Sequence, residues 1–563
     1  MRLLNRKNRF NGEIDPDEIF LDSSNLPKFN KQQFEGTIEK PIGKKTFFFF
    51  GFFFFLVLAI FSSKIFALQI IDGEKNFSKS DSNRLDHFVV FSERGLVYDR
   101  NGKELVTNEL SSTTEETHNK RSYIKKSGLS HVLGYVTYPQ KDSSGNYYET
   151  KTIGRDGVEK IFDEKLNGKN GTKLIEVDAL GQVISEAIFE PSIEGENITL
   201  SIDSELQAYM YETIRTLANR VHFTGGAGVI MDVTNGEILA LTNYPEYSSD
   251  VLSNSEDNNL VAGYIFDEGN PFLNRVTSGL YIPGSIVKPF MSLGVLNEGL
   301  IDPKKQILST GSISIQNPYN PDQKTVFKDW KAHGWVDMRQ AIAVSSDVYF
   351  YAVGGGYGDQ KGLGITKINE YMKMFGFGKP TEAEVTKEEI GNVPNPEWKK
   401  ENFEGEDWTL GNTYHTSIGQ YGFQVTPLQA VRATASVANN GYLLKPTFIK
   451  DSELNKKYPE RIPIDLNNFK IVKEGMRQAV TEGTAQGLSV PYTKVAGKTG
   501  TAELGVSKKY VNAWIIGFFP YENPKYAFAV IMEHGPKENT VGGLYVMRQT
   551  LDWMSINRPE YFK

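Results

Sequence analysis

The chain has 563 residues, enough for two or three domains, and its 39% hydrophobic and 23% charged residues describe an ordinary folded protein. The formal net charge of −7 argues against a nucleic-acid partner. Without cysteine, the chain can form no disulfide, thiol nucleophile or cysteine-ligated metal site. The seven histidines lack metal-ligand spacing and no Gly-rich phosphate loop is present, so the sequence predicts no cofactor.

The N-terminal region is predicted to anchor the chain in a membrane. Residues 1–45 are polar and aperiodic, which favours a disordered tail. Segment 46–71 opens with an uncharged run that, at 1.5 Å per residue, spans roughly 27 Å, close to a bilayer core. A cleaved signal peptide is the alternative, but the run starts late and lacks a clear A-x-A site. Lysines precede the run, so the positive-inside rule places the tail in the cytoplasm and the rest outside the cytoplasmic membrane.

Residues 72–200 are predicted to form a β-rich module without chemistry of its own. Asn101-Gly102 indicates a type I′ hairpin between two short strands. Residues 106–129 are rich in Ser, Thr, Glu and Lys and are predicted to be weakly structured. Strands are predicted again over 172–202.

Residues 201–563 are predicted to be an α+β domain in which one antiparallel sheet is flanked by helices. Helices are expected to start after Asp203 or Ser204, at Thr366, and at Thr426, which opens a capping box. Asn235-Gly236 predicts a second type I′ hairpin. The C-terminal elements are predicted to be strands over 494–503, 512–519 and 526–532 and a final helix over 544–555.

Ser285 and Lys288 form an S-x-x-K pair, whose side chains share one face of a helix. Proline is tolerated only in the first turn of a helix, so Pro289 predicts that this helix begins at about Ser285. Free N–H groups at such a start favour a developing oxyanion. A serine hydroxyl needs an adjacent base to become a nucleophile. The pair alone is a weak signal, because Ser122 and Lys125 repeat it.

Two further motifs make the signal specific. Ser345-Ser346-Asp347 stands in the place of an S-x-N or S-D-N motif, and Lys498-Thr499-Gly500-Thr501 contains the only K-T-G in the chain. The three motifs follow the order, and roughly the wide separations, of penicilloyl-serine transferases. The trio therefore predicts acyl transfer at Ser285.

From about residue 70 to 556, the chain resembles the class B penicillin-binding proteins, and most closely their elongation-type members, penicillin-binding protein 2. The resemblance implies a D,D-transpeptidase that attacks the D-Ala-D-Ala end of a peptidoglycan stem peptide and is inhibited covalently by β-lactams. It rests on stretches throughout the chain, at residues 71–74, 94–102, 131–135, 283–289, 333–337, 416–420 and 495–502.

The resemblance also implies catalytic roles. Lys288 is the base for Ser285, and Ser345 relays a proton toward the leaving amine with Lys498 beside it. Two ammonium groups in one site repel each other, which favours a free amine. Asp347 stands where many relatives carry Asn, and an ionised carboxylate cannot donate to a substrate carbonyl as an amide can. Elongation-type relatives resemble this S-x-D form.

Substrate binding is implied for the third motif. The backbone N–H groups of Ser285 and Thr501 are expected to form an oxyanion hole. The hydroxyls of Thr499 and Thr501, with the charge of Lys498, are expected to hold the terminal carboxylate of the substrate. Gly500 and Asp347 complete the expected substrate site.

The partner and the extent of the N-terminal module are also expectations. The sequence shows no glycosyltransferase, so a polymerising partner is implied, and the resemblance suggests a SEDS-type enzyme together with other elongation-complex proteins. Residues 106–129 are much shorter than the corresponding region of typical relatives. Most of the membrane-distal head subdomain is therefore expected to be missing.

Three other functions are compatible with the same motifs: a serine β-lactamase, a D,D-carboxypeptidase, and a membrane-anchored β-lactam sensor. Glu388 and Asn392 imitate the E-x-x-x-N pair that positions a deacylating water in β-lactamases. The surrounding loop is more typical of the class B family, and the anchor and extra module do not suit a secreted hydrolase. The tail shows no obvious signalling motif.

Overall fold

The computed structural model describes residues 43–76, 85–109, 118–177, 183–255, 257–317, 320–455, 460–505, 507–539 and 541–563. Nearly all of the predicted tail lies outside these residues. The chain divides into two compact units, one of residues 1–86 with 175–185 and one of residues 87–174 with 186–563.

The first unit contains the predicted membrane anchor. Helix Lys44–Phe66 continues into a π-helical turn, Ala67–Ile71, and none of its residues is buried. By length and composition it is able to cross a membrane. Three strands form one sheet in the order Leu85–Val90, Gly171–Val177 and Val183–Glu190.

The N-terminal part of the second unit is built on a small sheet with the strand order Ile198–Thr199, Val97–Tyr98, Glu104–Glu109 and Lys120–Tyr123. Strand Glu104–Glu109 extends into residues 106–129 and Lys120–Tyr123 lies within them, so the prediction that this stretch is weakly structured is wrong where the structure describes it. Short helices and strands complete this part, at Ser130–Leu133, Val136–Thr137, Gln140–Lys141, Tyr147–Glu149, Ile153–Gly154, Gly157–Ile161 and Asp163–Asn167.

Both predicted hairpins are present, but neither turn is of type I′. That type needs positive φ at both central residues, whereas Gly102 (φ 80°) and Gly236 (φ 84°) have it and the preceding asparagines do not. In the first hairpin the reason is local. The Asp99 carboxylate accepts hydrogen bonds from the backbone N–H groups of Asn101 and Lys103 and holds the turn.

The rest of the second unit surrounds an antiparallel five-stranded sheet. Its strand order is Ile238–Tyr244, Gly225–Asp232, Tyr526–Pro536, Tyr510–Phe519 and Ala496–Leu504. The last strand carries the K-T-G motif and lies at an edge of the sheet. This α+β arrangement confirms the predicted fold class.

Side chains of the strands alternate between two hydrophobic cores. Ile230 packs in the core that includes helices Ser204–Val221 and Gly543–Asn557, whereas Val229 and Met231 pack in the core that includes Phe290 and Leu428. Because both faces are covered, the strands are almost continuously apolar. The second core holds the helix that follows Ser285.

Helices and short strand pairs surround the sheet. The helices are Ser249–Asn254, Asn258–Ile265, Lys288–Asn297, Met338–Val344, Asp347–Gly355, Ile365–Met374, Pro396–Asn402, Leu410–Ser417, Pro427–Ala438 and Leu466–Thr481. Paired strands lie at Ile307–Ser309 with Gly334–Val336, Ser312–Asn317 with Asn320–Lys328, and Tyr442–Leu443 with Glu460–Arg461.

Two of the three predicted helix starts are confirmed. Asp203 accepts from the N–H groups of Glu205 and Leu206, and Thr426 forms the expected capping box. Thr366 is not a cap. That helix begins at Ile365 after Gly364, which has a φ of 78°.

Candidate active site

The three motifs line one open cleft of about 630 Å³ at the edge of the sheet. Two lysines, Lys288 and Lys498, lie beneath it with no exposed surface. Residues from separate elements thus meet where a substrate can enter. The motif residues in the cleft wall are Ser285, Ser345, Asp347, Thr499, Gly500 and Thr501.

Ser285 lies at a helix start, as its proline predicts. A 3₁₀ turn, Gly284–Val287, leads into the α-helix Lys288–Asn297, with Pro289 in the first turn. The backbone N–H of Ser285 is in the opening turn, where such groups lack an intrahelical partner. Gly284 has a φ of 55°, and a Cβ there would lie 3.0 Å from the carbonyl oxygen of Thr501. Glycine therefore lets this turn approach the K-T-G strand.

Lys288 is turned toward the second motif. Its Nζ donates to the Ser345 carbonyl (2.9 Å), to Ser345 Oγ (3.2 Å) and to Asp347 Oδ1 (2.6 Å). These three acceptors use all three protons of an ammonium group. Within the described residues, Ser285 Oγ has no hydrogen-bond partner, so the expected contact between Lys288 and Ser285 is not made in this conformation.

Ser345 joins the two lysines. It ends helix Met338–Val344 in a left-handed conformation, with a φ of 61°. Its Oγ accepts from Lys288 Nζ at 3.2 Å and from Lys498 Nζ at 2.8 Å. Lys498 also donates to the carbonyl of Thr499, at 2.9 Å. With both lysines donating, Ser345 keeps its own hydroxyl proton for a third group.

The two lysines of the site have different electrostatic surroundings. Burial lowers the pKa of Lys498 well below its usual value, the nearby charge of Lys288 lowers it further, and Asp347 opposes both effects. Lys288, in contrast, forms a salt bridge with Asp347. The site therefore combines one ion pair with one amine that loses its proton readily.

The cleft wall near the third motif contains residues that the sequence did not single out. Thr499 Oγ1 donates to Thr484 Oγ1 at 2.7 Å, and Trp330 also lines the cleft. Thr501 is exposed. Neither Thr484 nor Trp330 belongs to a spaced motif, so only the folded chain shows that they face the cleft.

The second S-x-x-K pair and the E-x-x-x-N pair lie elsewhere in the described structure. Ser122 is on strand Lys120–Tyr123, where an S-x-x-K spacing does not stack side chains, and its Oγ donates to Glu109 at 2.6 Å. Glu388 accepts from the backbone N–H of Thr381 at 2.7 Å. Asn392 donates to the carbonyl of Gly422 at 2.8 Å. These side chains support loops and are not among the residues of the cleft wall.

Two protein families match this architecture. Residues 226–547 match the penicillin binding protein transpeptidase domain, and residues 113–200 match the penicillin-binding protein dimerisation domain. The chain therefore belongs to the penicillin-binding protein transpeptidase family, and it has the class B arrangement in which both domains occur on one chain.

Within this family, the chain is similar to peptidoglycan D,D-transpeptidase MrdA. It is 31% identical to the *Escherichia coli* K12 protein over 78% of this chain and 72% of the relative. It is 28% identical to the *Haemophilus influenzae* protein over 85% of this chain and 87% of the relative. The structure is similar to that of penicillin-binding protein PBP2 of *Helicobacter pylori* in complex with MreC, with a TM-score of 0.70, 27% identity, and coverage of 84% of this chain and all of that one.

Proposed function

We propose that this protein is a peptidoglycan D,D-transpeptidase that cross-links stem peptides through an acyl-enzyme on Ser285, in cell-wall elongation. The observation that supports this most directly is that Ser285 and Ser345 share one cleft, with Lys498 hydrogen-bonded to Ser345 beneath it, in a chain that belongs to this family. Relatives that are similar over most of their length are named for the same activity.

In the proposed first step, Ser285 Oγ attacks the carbonyl carbon between the two D-Ala residues. A C–O bond forms, and the hydroxyl proton passes to Lys288 as base. The backbone N–H groups of Ser285 and Thr501 stabilise the oxyanion. The peptide bond then breaks, and the leaving D-Ala amine takes a proton from Ser345, which Lys288 replaces with the proton it took from Ser285. In the second step an acceptor amine attacks the ester, and the proton that this amine loses passes through Lys288 to Ser285 Oγ as the C–O bond breaks.

The hydrogen-bond chain supports a way to prepare Lys288 for this role. As an ammonium paired with Asp347, it cannot accept a proton. Ser345 Oγ lies between Lys288 and Lys498, and the pKa of Lys498 is lowered. Once Lys498 has lost a proton and the Ser345 hydroxyl turns toward it, a proton can pass from Lys288 to Ser345 while the Ser345 proton passes to Lys498. Lys288 is then neutral and Lys498 carries the charge.

The open side of the cleft provides the proposed binding site for the substrate. We place the terminal carboxylate of the donor stem peptide against the hydroxyls of Thr499 and Thr501, with the charge of Lys498 behind them. Thr499 already donates its proton to Thr484, so it would bind the carboxylate only after that hydroxyl turns. Gly500 lies between these threonines and keeps the strand close to the Ser285 turn, since a Cβ there would lie 2.8 Å from Ile286.

The membrane and partner assignments belong to the same proposal. The helix Lys44–Phe66 is proposed to be a single-pass anchor, with the N-terminus in the cytoplasm and the catalytic domain outside. The similar structure from *Helicobacter pylori* is a complex with MreC. We propose that this chain also works within an elongation complex and receives glycan strands from a SEDS-type glycosyltransferase.

The test is a reconstituted reaction with full-length protein in detergent and a stem peptide that ends in D-Ala-D-Ala. Release of D-Ala together with a cross-linked product is expected. Release without a cross-link would instead identify a carboxypeptidase, and rapid steady-state turnover of a chromogenic penicillin analogue would identify a β-lactamase. Penicillin acylation without D-Ala release would favour the sensor.

A further inference from the structure

A buried carboxylate lies behind the second motif. The side chain of Asp329 has no exposed surface. Its Oδ2 accepts hydrogen bonds from Ser346 Oγ (2.9 Å), from the backbone N–H of Val348 (3.0 Å) and from Ser309 Oγ (3.2 Å). Three donors from separate parts of the chain converge on this one oxygen, so the carboxylate ties them together.

The other oxygen of Asp329 is also engaged. Oδ1 accepts from the backbone N–H of Trp330 at 2.8 Å and lies 3.5 Å from Nε2 of His333. No lysine or arginine in the described parts of the chain pairs with it. The positive end of helix Asp347–Gly355, whose second N–H it binds, supplies a compensating field.

The turn that Asp329 contacts is strained and central to the site. Ser345 is a non-glycine residue with a φ of 61°, a conformation that persists only where surrounding contacts fix it. Ser346 caps the next helix through the N–H of Tyr349, and Asp347 is the first residue of that helix. Whatever fixes Ser346 therefore also fixes the residues on either side of it.

We propose that Asp329 is a positioning residue for acylation at Ser285. Its carboxylate holds Ser346 and Val348, which places Ser345 Oγ between the two lysines and Asp347 against Lys288. Asp329 lies behind the turn and acts through these residues, without touching the substrate. This inference rests on the function proposed above.

A purely structural role would give the same loss of stability without a specific loss of rate, so a matched control is needed. Asp337 provides one. Its side chain accepts from the backbone N–H of Gln340 at 2.9 Å at the start of helix Met338–Val344. It is an aspartate that caps the helix leading to Ser345, yet it contacts neither the turn nor the cleft.

The experiment measures acylation of full-length protein by a fluorescent penicillin, with concentrations corrected for folded protein. For Asp329→Asn, the limiting acylation rate is expected to fall about tenfold or more while the half-saturating concentration changes by less than about twofold. Asp337→Asn is expected to acylate at the rate of the unaltered protein. Equal rates for both variants and the unaltered protein would overturn the inference.

A double-mutant cycle tests whether Asp329 acts through Ser345. Asp329→Asn is expected to slow acylation of the Ser345→Ala variant by no more than about twofold, since the group that it positions is already absent. An undiminished effect in that background would show that Asp329 works by another route, which would also overturn the inference.

A second variant covers the case in which Asp329→Asn does not fold. Ser309→Ala leaves the carboxylate in place and removes one of its donors, and a loss of about two- to fivefold in limiting rate is expected. An unchanged rate would count against the inference. If the unaltered protein is not acylated at all, the proposed function fails and the inference falls with it. Normal acylation that is insensitive to Asp329 and Ser309 defeats the inference alone.

Discussion

Lys498 Nζ donates a hydrogen bond of 2.8 Å to Ser345 Oγ across 153 residues of sequence. The contact joins the edge strand of the sheet to the break between two helices. It completes a line of groups, with Lys288 on the other side of Ser345. An amine with a lowered pKa is thereby connected to an ion-paired lysine, and the site can move a proton without moving a side chain far.

The first prediction concerns the nucleophile. Ser285→Ala is expected to abolish covalent labelling by a fluorescent penicillin, because the hydroxyl that forms the ester is gone. Ser122→Ala is the matched control, since it removes the serine of the other S-x-x-K and should leave labelling intact. Peptide mapping of the adduct checks both. An adduct on any other serine would refute the assignment.

The second prediction concerns Asp347, the carboxylate that raises the pKa of Lys498 against burial and against Lys288. Asp347→Asn removes this charge, so the pKa of Lys498 should fall further and the profile of acylation rate should move to lower pH. Measuring acylation rate against pH checks the shift. Asp359→Asn, whose side chain is 95% exposed, is the control. An unmoved profile, or one displaced to higher pH, would contradict the role given to Asp347.

The third prediction concerns the stability cost of Lys498. Because its folded pKa lies below 10.5, the unfolded chain binds more protons between the two values and stability rises with pH in that window. Lys498→Met should therefore raise the free energy of unfolding at neutral pH, by about 1 kcal/mol, while abolishing acylation. The gain should shrink as the pH approaches 10.5.

Denaturant unfolding at several pH values measures the free energy of unfolding of Lys498→Met relative to the unaltered protein. The control is Lys494→Met, since Lys494 is exposed and pairs with Glu522 at the surface. It should change the free energy of unfolding by no more than about 0.5 kcal/mol. Destabilisation by Lys498→Met at every pH would show that the hydrogen bonds of the ammonium outweigh its burial.

The fourth prediction concerns Glu246, whose carboxylate accepts from the backbone N–H groups of Gly128 and Ser130. Burial raises its pKa to about 7. The folded state then binds more protons than the unfolded state between about 4.5 and 7, so stability falls as the pH rises through this window, by on the order of 3 kcal/mol in all. Glu246→Gln should remove this dependence.

Thermal unfolding between pH 4.5 and 7.5 measures the difference between the unaltered protein and Glu246→Gln. The stability of the unaltered protein relative to Glu246→Gln should be greatest at the acid end of this range. Asp359→Asn, which alters an exposed carboxylate, should show a constant difference over the same range. A constant difference for Glu246→Gln as well would mean that this carboxylate is not a source of the pH dependence.

The fifth prediction concerns topology. Protease added outside intact spheroplasts should digest the domain that contains Ser285 and spare the segment before Lys44, since the lysines next to the apolar helix favour the cytoplasm. Antibodies to tags at the two ends of the chain read out both segments, and lysed spheroplasts are the control. Protection of the catalytic domain with loss of the N-terminal tag would reverse the orientation.

Local sequence was sufficient for much of the fold. Caps at Asp203 and Thr426, the uncharged run after Lys45 and the apolar strands around the K-T-G motif are each specified by neighbouring residues, so their structures follow from short-range rules. Local rules failed at Thr366 and at the two Asn-Gly turns. At the first of these turns, hydrogen bonds from the backbone N–H groups of Asn101 and Lys103 to the Asp99 carboxylate hold the conformation.

The sequence by itself determined the family, the three motifs and the helix start at Ser285, because each motif and the helix start depend on residue types at fixed short spacings. Only the tertiary structure decided what those residues contact. Lys288 pairs with Asp347 and not with Ser285, and Asp329 lies behind the second motif. Hydrogen bonds and burial act over a few ångströms in space, and the distance along the chain places no limit on them.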